Sequence, residues 1–232
     1  MIVQIYSLSN ADDVRMLIEA GVDNVGIAPK EQGLPAGVTP EDGRKLFDLL
    51  PAGMLGSALT VRTDFDWILA MVDIVKPAIL HICCETEELS VADQVELTKQ
   101  LPEGTLVMKA IEVGGPETAD AAISAAERFA PVSDFLLLDS ATPQIPGIGA
   151  AGILHDWDIS ARIVERVGKE TPVILAGGIG PDNVADSIRH VRPAGVDSFT
   201  LTNTPHDRRR KDPDRVRAFV SEARRAAAEL DL

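Results

Sequence analysis

Leu136-Leu137-Leu138-Asp139-Ser140, followed by Gly149-Ala150-Ala151-Gly152 and Asp156-Trp157, is the stretch on which the reading of this chain turns. The leucine run reads as a buried strand that carries one carboxylate, Asp139, to its C-terminal end, and a glycine-containing loop follows at once. In a barrel of parallel strands, the C-terminal strand ends surround the site of chemistry. An aspartate there can equally do no more than cap the following turn. What decides between the two is whether the rest of the chain repeats the layout.

It repeats it. Apolar, strand-like runs fall at 2–7, 24–29, 54–61, 78–84, 106–113, 135–140, 172–178 and 196–201, each followed by a segment of helical period. Asn10 precedes Asp12 and Asp13, with Val14, Leu17 and Ile18 on one face and Gly21 as the stop. Thr39-Pro40-Glu41 starts the second helix with proline in its first turn. Gly180-Pro181-Asp182 opens the seventh, whose apolar face is Val184, Ile188 and Val191, and the last runs from Asp212-Pro213 to about Glu229. Strict alternation of strand and helix, eight times, predicts an α/β fold: a closed (β/α)8 barrel over 1–232, with no linker and no second domain. The rival, an open doubly wound sheet, usually carries GxGxxG after its first strand. Here that turn reads Tyr6-Ser7-Leu8-Ser9-Asn10, with no glycine.

Composition narrows the function. The 232 residues are 45% hydrophobic but only 4% aromatic, which suits strands covered by helices. Net charge is −14, with no basic tract of the length that nucleic acid or an anionic membrane would call for. The basic cluster at 208–211 is followed by Asp212 and Asp214 and reads as a solvated loop. Cys83 and Cys84 are adjacent, a geometry that rarely bridges, and no apolar run reaches the length of a membrane span. The expectation is a cytoplasmic protein acting on a small molecule; a homodimer is compatible with it.

A barrel gathers its candidate site at one mouth. There the strand ends supply Tyr6, Ser7, Lys30, Thr60, Arg62, His81, Cys83, Lys109, Glu112, Asp139, Gly177, Gly178 and the segment 200–203, of which alternation turns about half toward the helices. Gly177 and Gly178 let the backbone approach an anion, in the region where barrels commonly hold phosphate. Positive backbone angles in a tight turn explain the same glycines. His81, Cys83, Glu85, Glu112, Asp139 and His155 show no dedicated ligand spacing, so neither metal nor cofactor is expected.

The motifs together resemble the phosphoribosylanthranilate isomerase family, TIM-barrel enzymes of tryptophan biosynthesis that perform an Amadori rearrangement of a phosphorylated aminosugar. VQIYSLSNADDV (3–14) is similar to the family's VKICGLTxxEDA, NVGIAPK (24–30) to GFVFxPK, LHICCE (80–85) to VQLHGxE and LVMKAIEV (106–113) to VIKAIRV. LLLDS (136–140) matches as it stands. GAAGILHDW (149–157) resembles GGTGxxFDW, ILAGGIGPDNV (174–184) resembles LAGGLTPENV, and KDPDRVRAFV (211–220) resembles KDPxKVxxFV.

The resemblance implies Asp139 as the acid that protonates the sugar ring oxygen. The family's base is the cysteine of KICG, where this chain has Tyr6. A tyrosine titrates near ~10 against ~8.5 for cysteine, which makes it the poorer base without help. The phosphate turn SSGVE falls on Phe199-Thr200-Leu201-Thr202-Asn203, leaving Thr200 as the hydroxyl in register beside Gly177 and Gly178. The family's arginine for the anthranilate carboxylate has no counterpart in Lys30-Glu31-Gln32-Gly33-Leu34-Pro35. Glu112 stands where many members have arginine and Cys83 where they have histidine. Lys30, His81, Cys83 and Glu112 are therefore the candidates for binding a sugar phosphate. Three readings stay open on sequence: an isomerase of the family's substrate with Tyr6 or Cys83 as base, a diverged barrel enzyme pairing Asp139 with Glu112 or His81, and a non-catalytic binding descendant.

Overall fold

The computed structural model describes residues 1–30, 32–142, 144–149 and 152–232. Ala150 and Ala151 of the glycine turn at 149–152, and Glu31 of the segment at 30–35, lie outside the described residues. Eight parallel strands close on one another: β1 (Ile2–Ile5), β2 (Asn24–Ile27), β3 (Leu55–Thr60), β4 (Ile79–Ile82), β5 (Leu106–Glu112), β6 (Phe135–Asp139), β7 (Val173–Leu175) and β8 (Gly195–Ser198). Each pairs with its sequence neighbour, and β1 pairs with β8 to complete the ring. The intervening helices are α1 (Ala11–Ala20), α2 (Pro40–Phe47), α3 (Phe65–Val75), α4 (Val91–Gln100), α5 (Ala119–Phe129), α6 (Trp157–Val167), α7 (Val184–Val191) and α8 (Pro213–Glu229). None of the described helices is long and apolar enough to cross a membrane.

Local chemistry sets the helix ends as expected in all but one case. Asn10 accepts from the Asp13 N–H at 2.9 Å, and Gly21 closes α1 in the left-handed region at φ 78°. Thr39 caps α2 ahead of Pro40, and Asp212 caps α8 ahead of Pro213. The exception is α7, which starts at Val184. Asn183 accepts from the Gly180 N–H and donates to the Gly178 carbonyl, so residues 180–183 form a side-chain-locked turn ahead of the helix.

The core has two layers. Inside the barrel, Ile79, Met108, Leu137 and Ile174 fill the half away from the active-site mouth, and Ala176 packs on them from the level of the mouth. Between strands and helices lies a larger cluster including Val25, Ile111, Leu138, Phe129 and Phe219. Alternation explains Lys109: flanked by inward Met108 and Ala110, it turns outward, fully buried, and donates to the Cys84 carbonyl at 2.6 Å. It is therefore not at the mouth.

Two hairpins that the sequence did not announce decorate the C-terminal end. One pairs Ala141–Thr142 with Ile145–Ile148 after β6, and the other pairs Asn203–Thr204 with Asp207–Lys211 after β8. The second corrects the reading of 208–211 as a solvated loop. Lys211 is buried, donating to Asn203 Oδ1 at 2.6 Å and to the Tyr6 carbonyl, which ties the hairpin to the end of β1.

Candidate active site

The barrel mouth holds two joined chambers that share Asp139, Asp197 and Phe199. The larger, open to solvent, has about 460 Å³ of free space and is walled by Tyr6, Leu34, Leu59, Val61, His81, Cys83 and Ile148. The smaller, about 290 Å³, is formed by the loops after β6, β7 and β8, through Gly152, Gly177, Gly178, Thr200 and Leu201. Asp139, Tyr6 and Gly177 thus open onto the same end of the barrel.

Asp139 ends β6 and is 8% exposed. Its Oδ1 accepts the Ser140 N–H at 2.7 Å, yet burial dominates and pushes the carboxyl up to about 7. The space around it requires glycines. A Cβ on Gly149 would lie 2.9 Å from Asp139 Oδ2, and one on Gly177 would lie 3.2 Å from Oδ1. Gly177 and Gly178 hold φ of +77° and +63°, and a Cβ on Gly178 would meet the Leu154 N–H nitrogen at 2.8 Å. The Thr200 hydroxyl beside them is buried with no partner among the described residues.

Tyr6 is buried against Gly26, and its hydroxyl lies 3.0 Å from His81 Nδ1. Burial raises the phenol well above its ordinary value, with Cys83 and Asp197 adding to the effect. Burial pushes His81 down to about 3, helped by Lys109, so a neutral imidazole and a neutral phenol share this hydrogen bond. Burial also raises the Cys83 thiol well above its ordinary value.

Two candidates lie elsewhere. Lys30 is exposed and lines a groove with Thr39, Glu41 and Trp67 between α2 and α3. The reason is the loop after β2: Lys30 N–H donates to Val38 O and Val38 N–H to Ala28 O, so the chain folds back and turns the lysine away from the barrel axis. Glu112 is exposed at the rim, where burial and then Glu85 and Glu87 raise its carboxyl. The first hairpin cuts it off: Ile148 donates to the Cys83 carbonyl at 2.8 Å and packs with Cys83 and Ala110 beneath that rim.

Two residues were missed as partners of Asp139. His155 is half-buried, with Nε2 2.8 Å from Ser160 Oγ. Its Nδ1 has no partner among the described residues and would lie 2.6 Å from a Cβ on Gly177. Burial lowers it to about 4. Asp197 ends an apolar run as Asp139 does, which is the signal that would have found it. It is 6% exposed, its Oδ1 has no partner among the described residues, and burial followed by the Asp139 charge raises it to about 8. Among the described residues no group of three or more His, Cys, Asp and Glu side chains is arranged to hold a metal ion.

Comparison with known proteins agrees with this geometry. The family model described as N-(5'phosphoribosyl)anthranilate (PRA) isomerase matches residues 91–221. The N-(5'-phosphoribosyl)anthranilate isomerase of Haloferax volcanii is 32% identical over 99% of this chain and 96% of its own. That of Paracoccus denitrificans is 33% identical over 95% and 96%. The crystal structure of phosphoribosyl anthranilate isomerase from Thermotoga maritima superposes with a TM-score of 0.77 at 25% identity, covering 97% of this chain and 99% of that one. The closed parallel barrel, the aspartate ending its sixth strand and these likenesses agree: the chain belongs to the N-(5'-phosphoribosyl)anthranilate isomerase family.

Proposed function

We propose that this chain converts N-(5'-phosphoribosyl)anthranilate to the corresponding 1-amino-1-deoxyketose phosphate, an Amadori rearrangement. The observation that carries the reading is the position of Asp139 at the junction of two unlike chambers. The chamber walled by Leu34, Leu59, Val61, Ile148 and Phe199 suits an aromatic ring. The chamber built on Gly177, Gly178 and Thr200 suits a phosphate, with close backbone approach and a hydroxyl that has no partner among the described residues. A substrate spanning both puts its sugar at Asp139. Two cations face the Phe199 ring of the apolar wall, the Arg208 guanidinium at 5.6 Å and Lys211 Nζ at 4.8 Å from its centroid.

Asp139, held protonated near neutrality by burial, gives its proton to the furanose ring oxygen as the bond from that oxygen to C1′ breaks and the anthranilate nitrogen forms the iminium. Tyr6 and His81 form a neutral hydrogen-bonded wall and position the sugar. A different small substrate would leave the paired chambers unexplained, and a purely binding role would need no buried carboxyl among glycines.

The test is turnover. Freshly generated N-(5'-phosphoribosyl)anthranilate should be consumed, with loss of its fluorescence, and ribose 5-phosphate should inhibit more strongly than ribose. Asp139→Asn should lower kcat/KM by ~10²- to 10⁴-fold. A folded wild type that does not consume this substrate overturns the reading.

A further inference from the structure

Opening the ring is half of the reaction; a base must then take the C2′ proton, and this inference rests on the function proposed above. The resemblance implies a thiol base where this chain has Tyr6, whose phenol is committed to His81 Nδ1 at 3.0 Å. Register places another group within reach. Leu138 of β6 and Val196 of β8 both pair with Leu175 of β7. Asp139 and Asp197, each one residue further on, therefore stand at the same height on either side of Ala176. Their backbones are two strand spacings apart, about 10 Å, with both side chains directed into the shared cavity. A sugar held between them meets one carboxyl on its ring oxygen side and the other on its C2′ side. Asp197 also brings an oxygen with no partner among the described residues.

We propose that Asp197 is the general base of this enzyme, taking the proton from C2′ of the iminium that Asp139 creates.

The steps balance. Asp139 loses its proton to the ring oxygen, which leaves C1′ as a hydroxyl, and the nitrogen lone pair forms the C1′ iminium. Asp197 removes the C2′ proton, the C–H pair becomes the C1′–C2′ double bond, and the iminium pair returns to nitrogen. The enol then becomes the ketone: Asp197 returns its proton to C1′, and the C2′ hydroxyl proton passes to the Asp139 carboxylate. Both carboxyls end as they began, and no oxidant or reductant is needed.

Burial leaves the two carboxyls close in acidity, about 7 at Asp139 and about 8 at Asp197, so the division of roles rests on their positions across the cavity. Asp197 faces Asp139 on β6, Tyr6 on β1 and Lys211 on the second hairpin. Burial and mutual repulsion oppose ionising both aspartates, while the Gln4 side chain and then Lys211, itself pushed down to about 7 by burial, offset part of this at Asp197. Near neutrality the pair keeps one proton, which is one acid and one base in a single cavity.

The test uses the full chain and substrate deuterated at C2′. Asp197→Asn should lower kcat by ~10²- to 10⁴-fold with KM changed less than threefold, and should enlarge the deuterium isotope effect. Asp139→Asn should lower the rate while shrinking that effect, because ring opening then limits. The acidic limb of the wild-type pH profile should vanish in Asp197→Asn; a structural aspartate would leave it in place. If that variant does not fold, Asp197→Glu carries the test by the same isotope effect. Wild-type turnover with Asp197→Asn within threefold of it overturns the assignment alone. Absence of wild-type turnover overturns the function as well.

Discussion

Tyr6 and Gly26 form a pair whose energetics can be worked out before any variant is made. A Cβ on Gly26 would lie 2.1 Å from Tyr6 Cε1 and Cζ and 2.3 Å from Cδ1. Attractive carbon contacts sit at about 3.5–4.0 Å, so Gly26→Ala cannot coexist with the ring where it is. Nor can the strand withdraw, because β2 is laddered to β1 and to β3, with Gly26 opposite Ser57. Gly26→Ala should therefore destabilise the barrel by about 3 kcal/mol, the upper range for overpacking. Tyr6→Cys removes a buried ring, at about 3 kcal/mol, and strands His81 Nδ1, at about 1 kcal/mol more. In the double variant the alanine methyl occupies space that the ring has left, so the Gly26→Ala penalty should largely disappear. The coupling should be about 2–3 kcal/mol, read from urea unfolding of the four proteins. Additivity to within about 0.5 kcal/mol would refute the reasoning. The same packing bears on activity: Tyr6→Cys alone opens a hole beside Gly26 and should lower turnover, even though cysteine is the residue that the resemblance implies there.

Two further outcomes follow from the site. Asp139 and Asp197 are raised to about 7 and about 8 from an ordinary value near 3.8, so the folded chain retains protons that the unfolded chain has released. Their contribution to stability is complete below pH ~4 and is lost as pH rises through 7–8. Asp139→Asn should then raise the unfolding free energy at pH 8.5 by about 1–4 kcal/mol and far less at pH 5; an equal change at both pH values would sink the argument. Gly177→Ala forces a side chain into φ +77° and sets its Cβ 2.6 Å from His155 Nδ1 and 3.2 Å from Asp139 Oδ1. It should cost about 1–2 kcal/mol in stability and, by displacing the carboxyl, up to about 10²-fold in kcat; an unchanged kcat would show that the glycine does not hold Asp139 in place.

The barrel was legible because alternation of strand and helix is a local signal repeated eight times, and the capping residues Asn10, Thr39 and Asp212 mark where α1, α2 and α8 begin. Asp139 was legible for a related reason, as one carboxylate ending a leucine run. Direction was harder to read. Lys30 follows β2 closely but leaves the axis because the Ala28–Val38 and Lys30–Val38 backbone bonds fold the loop back, and no side-chain pattern announces such bonds. The segment 208–211 looked solvated because its charges do face outward in part, yet its last residue, Lys211, is drawn inward by Asn203 and the Tyr6 carbonyl.

A sharper signal was available within the strands themselves. Gln4 lies between Val3 and Ile5, Ser57 between Gly56 and Ala58, His81 between Leu80 and Ile82, and Asp197 after Val196, each a buried polar side chain in an apolar run. Strand parity sends the lower inner positions Ile79, Met108, Leu137 and Ile174 to the axis as hydrocarbon. His81, two residues beyond Ile79, shares its parity, and Asp197 and His81 line the chambers above it. His81 Nε2 and Asp197 Oδ1 have no partner among the described residues, an arrangement that costs about 1–3 kcal/mol for each unsatisfied group, while Gln4 reaches toward Asp197 and Ser57 toward Tyr6. A barrel kept only for its shape gains nothing from that layer and would be more stable with leucine or valine in it. A barrel that moves protons needs groups able to carry them beneath the substrate, away from bulk water, and this layer lies directly under the cavity that Asp139 and Asp197 share.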